Sequence, residues 1–268
     1  MSTPSAAPPY LGFDRNDYPG DAILDTFRKH FDFVGYWITN PPGETKNTWS
    51  GKRTILLSHG FGFLVLANGR LDAEILAQQK RFKKSPASLG KEDAQAAIAS
   101  ATHEGFPPHT ILFLDQEEGG RLLPEQAAYF FAWTETVAAS TYRPGSYLSG
   151  QPSDDGPGQT ITTAADIQQQ IAAKHLHPIT LFVYQDACPP SNGCTLTPPP
   201  VTASGTPGAE IWQYAQSPRR PEVTHACAKT FARDGNCYLP GSSPTDKSLN
   251  TLHLDLSVAT SSDPSKGR

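Results

Sequence analysis

Apolar residues in this chain fall into short strand-like runs separated by segments with helical spacing. Tyr10–Asp14, Phe33–Thr39, Gly62–Asn68 and Thr110–Glu117 read as strands, as do Ser146–Ser149, Ile179–Gln185, Glu210–Ala215 and Leu252–Val258. Helical patterns intervene. Ala22–Phe31 follows Asp21 as an N-cap, and a short helix spans Trp49–Ser58. Lys91–Glu104 is Ala-rich and stopped by Gly105, Pro124–Thr141 opens on proline, and Thr163–His175 follows later. Phe130, Trp133 and Val137 share one face at helical spacing and are expected in the core. Lys80–Lys84 reads as a basic surface stretch. The last two helices are poorly marked, so the closing third is expected to be irregular.

Eight strands alternating with helices predict an α/β fold with parallel strands, a single (β/α)8 TIM-type barrel over residues 10–259. A doubly wound open sheet is the runner-up, but no Gly-x-Gly-x-x-Gly follows the first strand. Residues 1–9 are expected to form a flexible arm and 260–268 a flexible tail, both rich in small and polar residues. There is no internal repeat and no domain linker.

Charge narrows the partners. A formal net charge of -4 gives no electrostatic case for nucleic acid or anionic lipid, and no apolar run reaches transmembrane length. Met1 is the only methionine and no signal-like apolar segment follows it. It reads as a start codon placed on a chain whose export signal was removed, so a secreted, periplasmic or extracellular location is expected. An intracellular protein poor in methionine is the alternative. The four cysteines favour export. Cys188 and Cys194 flank one short loop, Cys227 and Cys237 another, and pairing within each loop is the favoured reading. Zinc is the rival, but Cys-x-x-Cys spacing and well-placed histidines are lacking. No metal or other cofactor is expected, and the oligomeric state is left open.

The chemistry concentrates at Ile111–Gly120, where an apolar run ends in Asp115, Glu117 and Glu118 followed by two glycines. Alternation puts Asp115 and Glu117 on one strand face, about 6.6 Å apart along the strand, and Glu118 on the other. An ion-paired strand end would look the same. Two further acids stand in predicted strands: Asp14 closes the first, and Asp255 alternates with leucines in the eighth. Barrel topology would gather these four at one mouth, where such folds do their chemistry. Four carboxylates without a histidine cluster suit glycoside chemistry, and neither a Gly-x-Ser-x-Gly elbow nor a phosphate loop is present. Tyr36, Tyr147, Trp212, Gln213 and Tyr214 are candidates for binding a sugar. Alternation lets only one of Tyr36 and Trp37 face inward, and it sets Gln213 opposite to Trp212 and Tyr214.

Several of these segments occur in the order seen in a known group. Gly12-Phe13-Asp14, Leu114-Asp115-Gln116-Glu117, Tyr142–Tyr147, Ile211-Trp-Gln-Tyr214 and Leu254-Asp255-Leu256 resemble the glycoside hydrolase family 25 lysozymes. The chain is more similar still to the secreted glycoside-hydrolase-like barrels called domain of unknown function 1906. The resemblance runs from Tyr10 to Ala259. It implies a TIM-type barrel whose relatives cleave peptidoglycan between N-acetylmuramic acid and N-acetylglucosamine. By position it implies that Glu117 is the general acid, Asp115 its supporting carboxylate, and Asp14 and Asp255 the outer acids. It further implies that the substrate's N-acetyl group serves as nucleophile, with a covalent carboxylate route as the alternative. The chain departs from the lysozyme pattern in its long Pro41–His59 region, in Glu118-Gly119-Gly120 and in its cysteine-bounded loops. The leading functional expectation is a secreted glycosidase acting on peptidoglycan or a related amino-sugar polymer. A non-catalytic glycan-binding protein and a structural surface-layer component are the alternatives.

Overall fold

The computed structural model describes residues 9–242 and 252–268. Its strands are β1 (Tyr10–Asp14), β2 (Phe33–Trp37), β3 (Gly62–Asn68), β4 (Ile111–Asp115), β5 (Arg143–Ser149), the short hairpin β6 (Ser153–Asp154) and β7 (Thr160–Ile161), β8 (Thr180–Tyr184), β9 (Ala209–Ala215), β10 (Cys237–Tyr238) and β11 (His253–Ala259). Eight of them close a barrel in the order β1-β2-β3-β4-β5-β8-β9-β11, with β11 pairing back onto β1. The helices are α1 (Leu24–Arg28), α2 (Arg53–Ser58), α3 (Asp72–Phe82), α4 (Pro86–His103), α5 (Pro124–Ala138), α6 (Thr163–Lys174) and α7 (Pro221–Thr224). β2 and β4 are buried along their whole length, as expected for strands covered on both faces. Phe130, Trp133 and Val137 lie buried in α5.

The strands are not all parallel. The barrel strands from β1 to β9 run parallel, but β11 is antiparallel to both of its barrel neighbours, β9 and β1, and to the short β10. A parallel closing strand needs a crossover back to the opposite rim. Between β9 and β11, the helical structure described is limited to α7 and a 3-10 segment (His225–Thr230). The expected irregular closing third is therefore a change of strand direction. Two smaller expectations also shift. The first helix begins as a 3-10 turn at Asp21–Ile23, and Asp21 caps nothing, because its carboxylate accepts from Tyr18 and Lys52. The basic stretch at 80–84 lies on the surface as expected, but it begins as the end of α3, a helix whose only buried residue is Ile75.

Residues 260–268 are not a flexible tail. Ladder pairing between β3 and β4 starts only at Val65 and Leu112. Below it Ser265 bridges the two strands. Its N–H donates to the Phe63 carbonyl (2.8 Å), its carbonyl accepts from the Ile111 N–H (2.8 Å), and its Oγ accepts from the Val65 N–H (2.7 Å). Asp263 accepts from the Phe63 N–H, and Arg268 donates to the carbonyls of Gly60 and Phe61. The approach is close enough that a Cβ on Gly62 would fall 1.9 Å from the Ser262 carbonyl oxygen. A polar composition hid this role, because the segment is held through its backbone and the polar side chains of Asp263, Ser265 and Arg268. The expected arm at residues 1–9 lies outside the described residues except for Pro9.

The cysteines cross-link the two loops to each other instead of closing each loop. Cys188 bonds Cys227 and Cys194 bonds Cys237. The loops after β8 and β9 lie side by side, with the Cys188 N–H donating to the Val223 carbonyl and the Cys194 N–H to Thr230 Oγ1. Proximity in sequence therefore misled the pairing. Among the described residues no helix is long and apolar enough to cross a membrane.

Ser265→Ala leaves the buried Val65 amide unpaired and should cost about 1–3 kcal/mol in denaturant unfolding. Wild-type stability would show that the segment does not splint β3 to β4.

Candidate active site

β1 and β4 each end on an aspartate, Asp14 and Asp115, and so present both carboxylates at the carboxyl rim of the barrel. Asp255 is the third residue of β11, near the start of that strand. Because β11 runs backwards, its beginning lies at the same rim, and Asp255 pairs in register with Asp14. Gly35 makes room for Asp14, since a Cβ there would sit 2.3 Å from the Asp14 Cβ. Glu117 stands two residues beyond β4, outside the strand whose alternation was expected to align it with Asp115. The chain is nonetheless held there, with the Gln116 N–H donating to the Tyr147 carbonyl and the Gly69 N–H to the Asp115 carbonyl. All four acids line one cavity of about 320 Å³.

Glu118 turns the other way. Its carboxylate accepts from the Asp72 N–H at the start of α3, from Gln116 and from Gln126. It thus braces the loop from behind and leaves Glu117 facing the cavity. Asp14 accepts from Gln213 Nε2 at 3.2 Å. Gln213 Oε1 in turn accepts from the Tyr147 hydroxyl (2.6 Å) and from Gln216 Nε2 (3.0 Å). Asp255 accepts from the Ser217 N–H at 2.6 Å. Asp115 differs from these. It is only 7% exposed, and its Oδ1 is buried with no hydrogen-bond partner among the described residues.

Burial controls the protonation of this group. Asp14 is pushed up to about 7 by loss of water, against the opposing hydrogen bond from Gln213. Asp115 is raised well above the usual carboxylate range, first by burial and then by the charges of Glu117 and Asp14. Asp255 is raised by burial and by Asp14. Glu117, the exposed member, is raised by partial desolvation and by the charge of Glu118. Like charges crowded into a dry mouth cannot all ionise at neutral pH, so the site holds protons there. Among the described residues no grouping of His, Cys, Asp or Glu is arranged to hold a metal ion.

The expected binding residues divide along strand alternation. Tyr147 and Gln213 line the cavity. Tyr36, Trp212 and Tyr214 do not reach it. Tyr36 donates to Glu104 Oε2 and packs on Trp49, Phe63 and Phe106. Trp212 donates to the Gln185 carbonyl and Tyr214 to the Thr195 carbonyl. All three are fully buried on the outward face of the strands. Trp37, the neighbour of Tyr36, is the ring that faces in, together with Phe182. Gln216, Tyr184 and Arg220 are further residues of the mouth that the sequence reading passed over. Trp37 was legible by alternation. The other three lie at or beyond strand ends and carry no local signal.

A model of the Rv2525c-like, glycoside hydrolase-like domain matches residues 28–226, well over half of the chain. The chain belongs to this family. No curated protein matches it in sequence. Among solved structures it is similar to an uncharacterised protein of B. stearothermophilus, with 18% identity, a TM-score of 0.59, and 93% of this chain and 95% of that one covered. It is also similar to the spore cortex lytic enzyme SleM of Clostridium perfringens, with 14% identity, a TM-score of 0.51, and 94% and 68% covered. The Tat-secreted family member Rv2525c of Mycobacterium tuberculosis gives 10% identity and a TM-score of 0.50, with 94% and 95% covered. At these identities the shared property is the glycoside-hydrolase-like barrel.

A raised carboxyl pKa favours the folded state below the unfolded value of 3.8 and loses that stabilisation as pH rises through about 7. Asp14→Asn should therefore raise the melting temperature by on the order of 2–4 °C near pH 8 and change it little near pH 4. Equal shifts at both pH values would show that Asp14 titrates normally.

Proposed function

We propose that this protein is an exported glycosidase that cleaves peptidoglycan or a related amino-sugar polymer, with Glu117 as its general acid. The observation that supports this most is the position of Glu117. Three cavities meet at it: the central one of about 320 Å³, a small one of about 70 Å³ beside Gly43 and Gly69, and one of about 240 Å³ beside Tyr184 and Arg220. A polymer lying through them would carry its scissile bond past the one solvent-facing carboxyl of the group.

The chemistry follows from the environments. Burial and the charge of Glu118 raise the pKa of Glu117 and so favour its acid form, which gives its proton to the glycosidic oxygen as the bond to the anomeric carbon breaks. Asp115 offers beside it a buried acceptor oxygen with no partner among the described residues. An acetamido N–H of the substrate would satisfy that oxygen, and the pairing would aim the acetamido carbonyl oxygen at the anomeric carbon as internal nucleophile. Water then opens the resulting ring, with the deprotonated Glu117 taking its proton. Asp14, whose pKa of about 7 lets it ionise near neutrality, supplies negative field around the developing cationic sugar, and Trp37 supplies an apolar wall. Two disulfides among four cysteines support an oxidising, extracytoplasmic location.

Glu117→Gln should lower the release of reducing ends from cell-wall glycan by about 10²–10⁴-fold, with glycan binding retained. Wild-type activity should fall as pH rises through the elevated pKa of Glu117. Glycan binding by the wild type with no reducing ends released would instead make the protein a non-catalytic binder.

A further inference from the structure

The cavity beside Tyr184 differs in charge from the acidic centre it joins. Its walls include Glu117, Tyr147 and Gln216, all shared with the central cavity, and to these it adds Tyr184 and Arg220. Arg220 lies immediately before α7, on the loop that follows β9. Its guanidinium forks onto Asp186, with Nε donating to one carboxylate oxygen at 3.1 Å and Nη2 to the other. Asp186 is almost fully buried, and Gln151 Nε2 donates to it at 2.8 Å. The guanidinium also stands 5.2 Å from the centre of the Tyr184 ring. The Tyr184 hydroxyl donates to the Glu117 carbonyl, which ties this wall to the acid loop.

This is a rigidly mounted cation. The fork uses Nε and Nη2, so Nη1 has no share in it. The Asp186–Gln151 contact and the ring leave little freedom at the other edge. Such an arrangement fits recognition of a second carboxylate at short range, where Arg is preferred over Lys for its planar set of donors. The acidic centre makes the cation more telling. A mouth lined only by carboxyl groups offers an anionic polymer no charge partner, and a positive group displaced to one side admits the anion in only one register.

We propose that Arg220 forms a carboxylate-recognising subsite, which binds the acid group of a carboxylate-bearing sugar adjacent to the bond that Glu117 attacks. The proposal rests on the glycosidase reading and names the substrate feature that selects and orients the chain. The ligand class is a sugar carrying a carboxylate as an ether-linked acid or as a ring uronate. A neutral N-acetylglucosamine polymer lacks this contact and binds without it.

Isothermal titration with the Glu117→Gln protein separates the outcomes. The probes are an oligosaccharide of alternating N-acetylglucosamine and N-acetylmuramic acid, the same compound with its carboxylates converted to amides, a uronate-containing oligomer, and an N-acetylglucosamine oligomer. The carboxylate form should bind roughly tenfold more tightly than its amide. Arg220→Lys, which keeps the charge and loses the fork, should shrink that ratio. Arg220→Gln combined with Asp186→Asn, which leaves no buried unpaired charge, should abolish it with binding of the neutral oligomer unchanged. Tighter binding of the muramic than of the uronic oligomer assigns the ether-linked acid, and the reverse assigns the uronate. Equal binding of carboxylate and amide by the parent, or a ratio that survives the double variant, overturns the subsite while the glycosidase reading stands. No binding of any oligosaccharide overturns both.

Discussion

Loss of water around clustered carboxylates is the constraint on which the rest of this structure turns. Asp14, Asp115 and Asp255 reach one small hollow from three strands, with Glu117 at its edge. Each is harder to ionise than in water, chiefly through burial, and neighbouring carboxylates add to this at Asp115 and Asp255. A closed barrel brings this about because its rim fixes strand ends at a short spacing and its packed interior excludes solvent from below. Clustering acids in this way works against folding, so the stability of the chain must come from elsewhere.

The rest of the fold serves to hold that mouth in shape. The reversed β11 delivers Asp255 to the rim from its first turn of strand, directly beside Asp14. Gln213 anchors Asp14 and is itself fixed by Tyr147 and Gln216, so one acid is tied to three strands and a loop. Glu118 locks the loop that carries Glu117. The two disulfides join the loops after β8 and β9, which carry Asp186 and Arg220. At the far rim the C-terminal segment completes the ladder between β3 and β4.

Much of this could be read from the chain, and the failures share a cause. The strands were legible because each is a short apolar run bounded by glycine, proline or an acid. The convergence of Asp14, Asp115 and Glu117 followed from counting strands around a closed barrel, whereas Asp255 joins them because β11 runs backwards. Alternation already set Gln213 opposite to Trp212 and Tyr214, and the structure obeys it, so naming those two aromatics as sugar contacts gave ring chemistry more weight than geometry. What was not legible depends on contacts between segments distant in sequence. The direction of β11, the splint at Ser265 and the crossed disulfides each involve such partners, and local pattern carries no information about them. Arg220 is of the same kind, since nothing in Ser217–Pro221 marks it until Asp186 is placed beneath it.

Carbon-detected NMR titration of the side-chain carboxyl groups reports the protonation of each acid directly. The structure predicts that Asp14 titrates near 7 and that Asp115 and Asp255 stay protonated well above the ordinary aspartate range. Four carboxyls titrating at their ordinary values would mean that the mouth is wet and open, and the account of a desolvated acid cluster would fail.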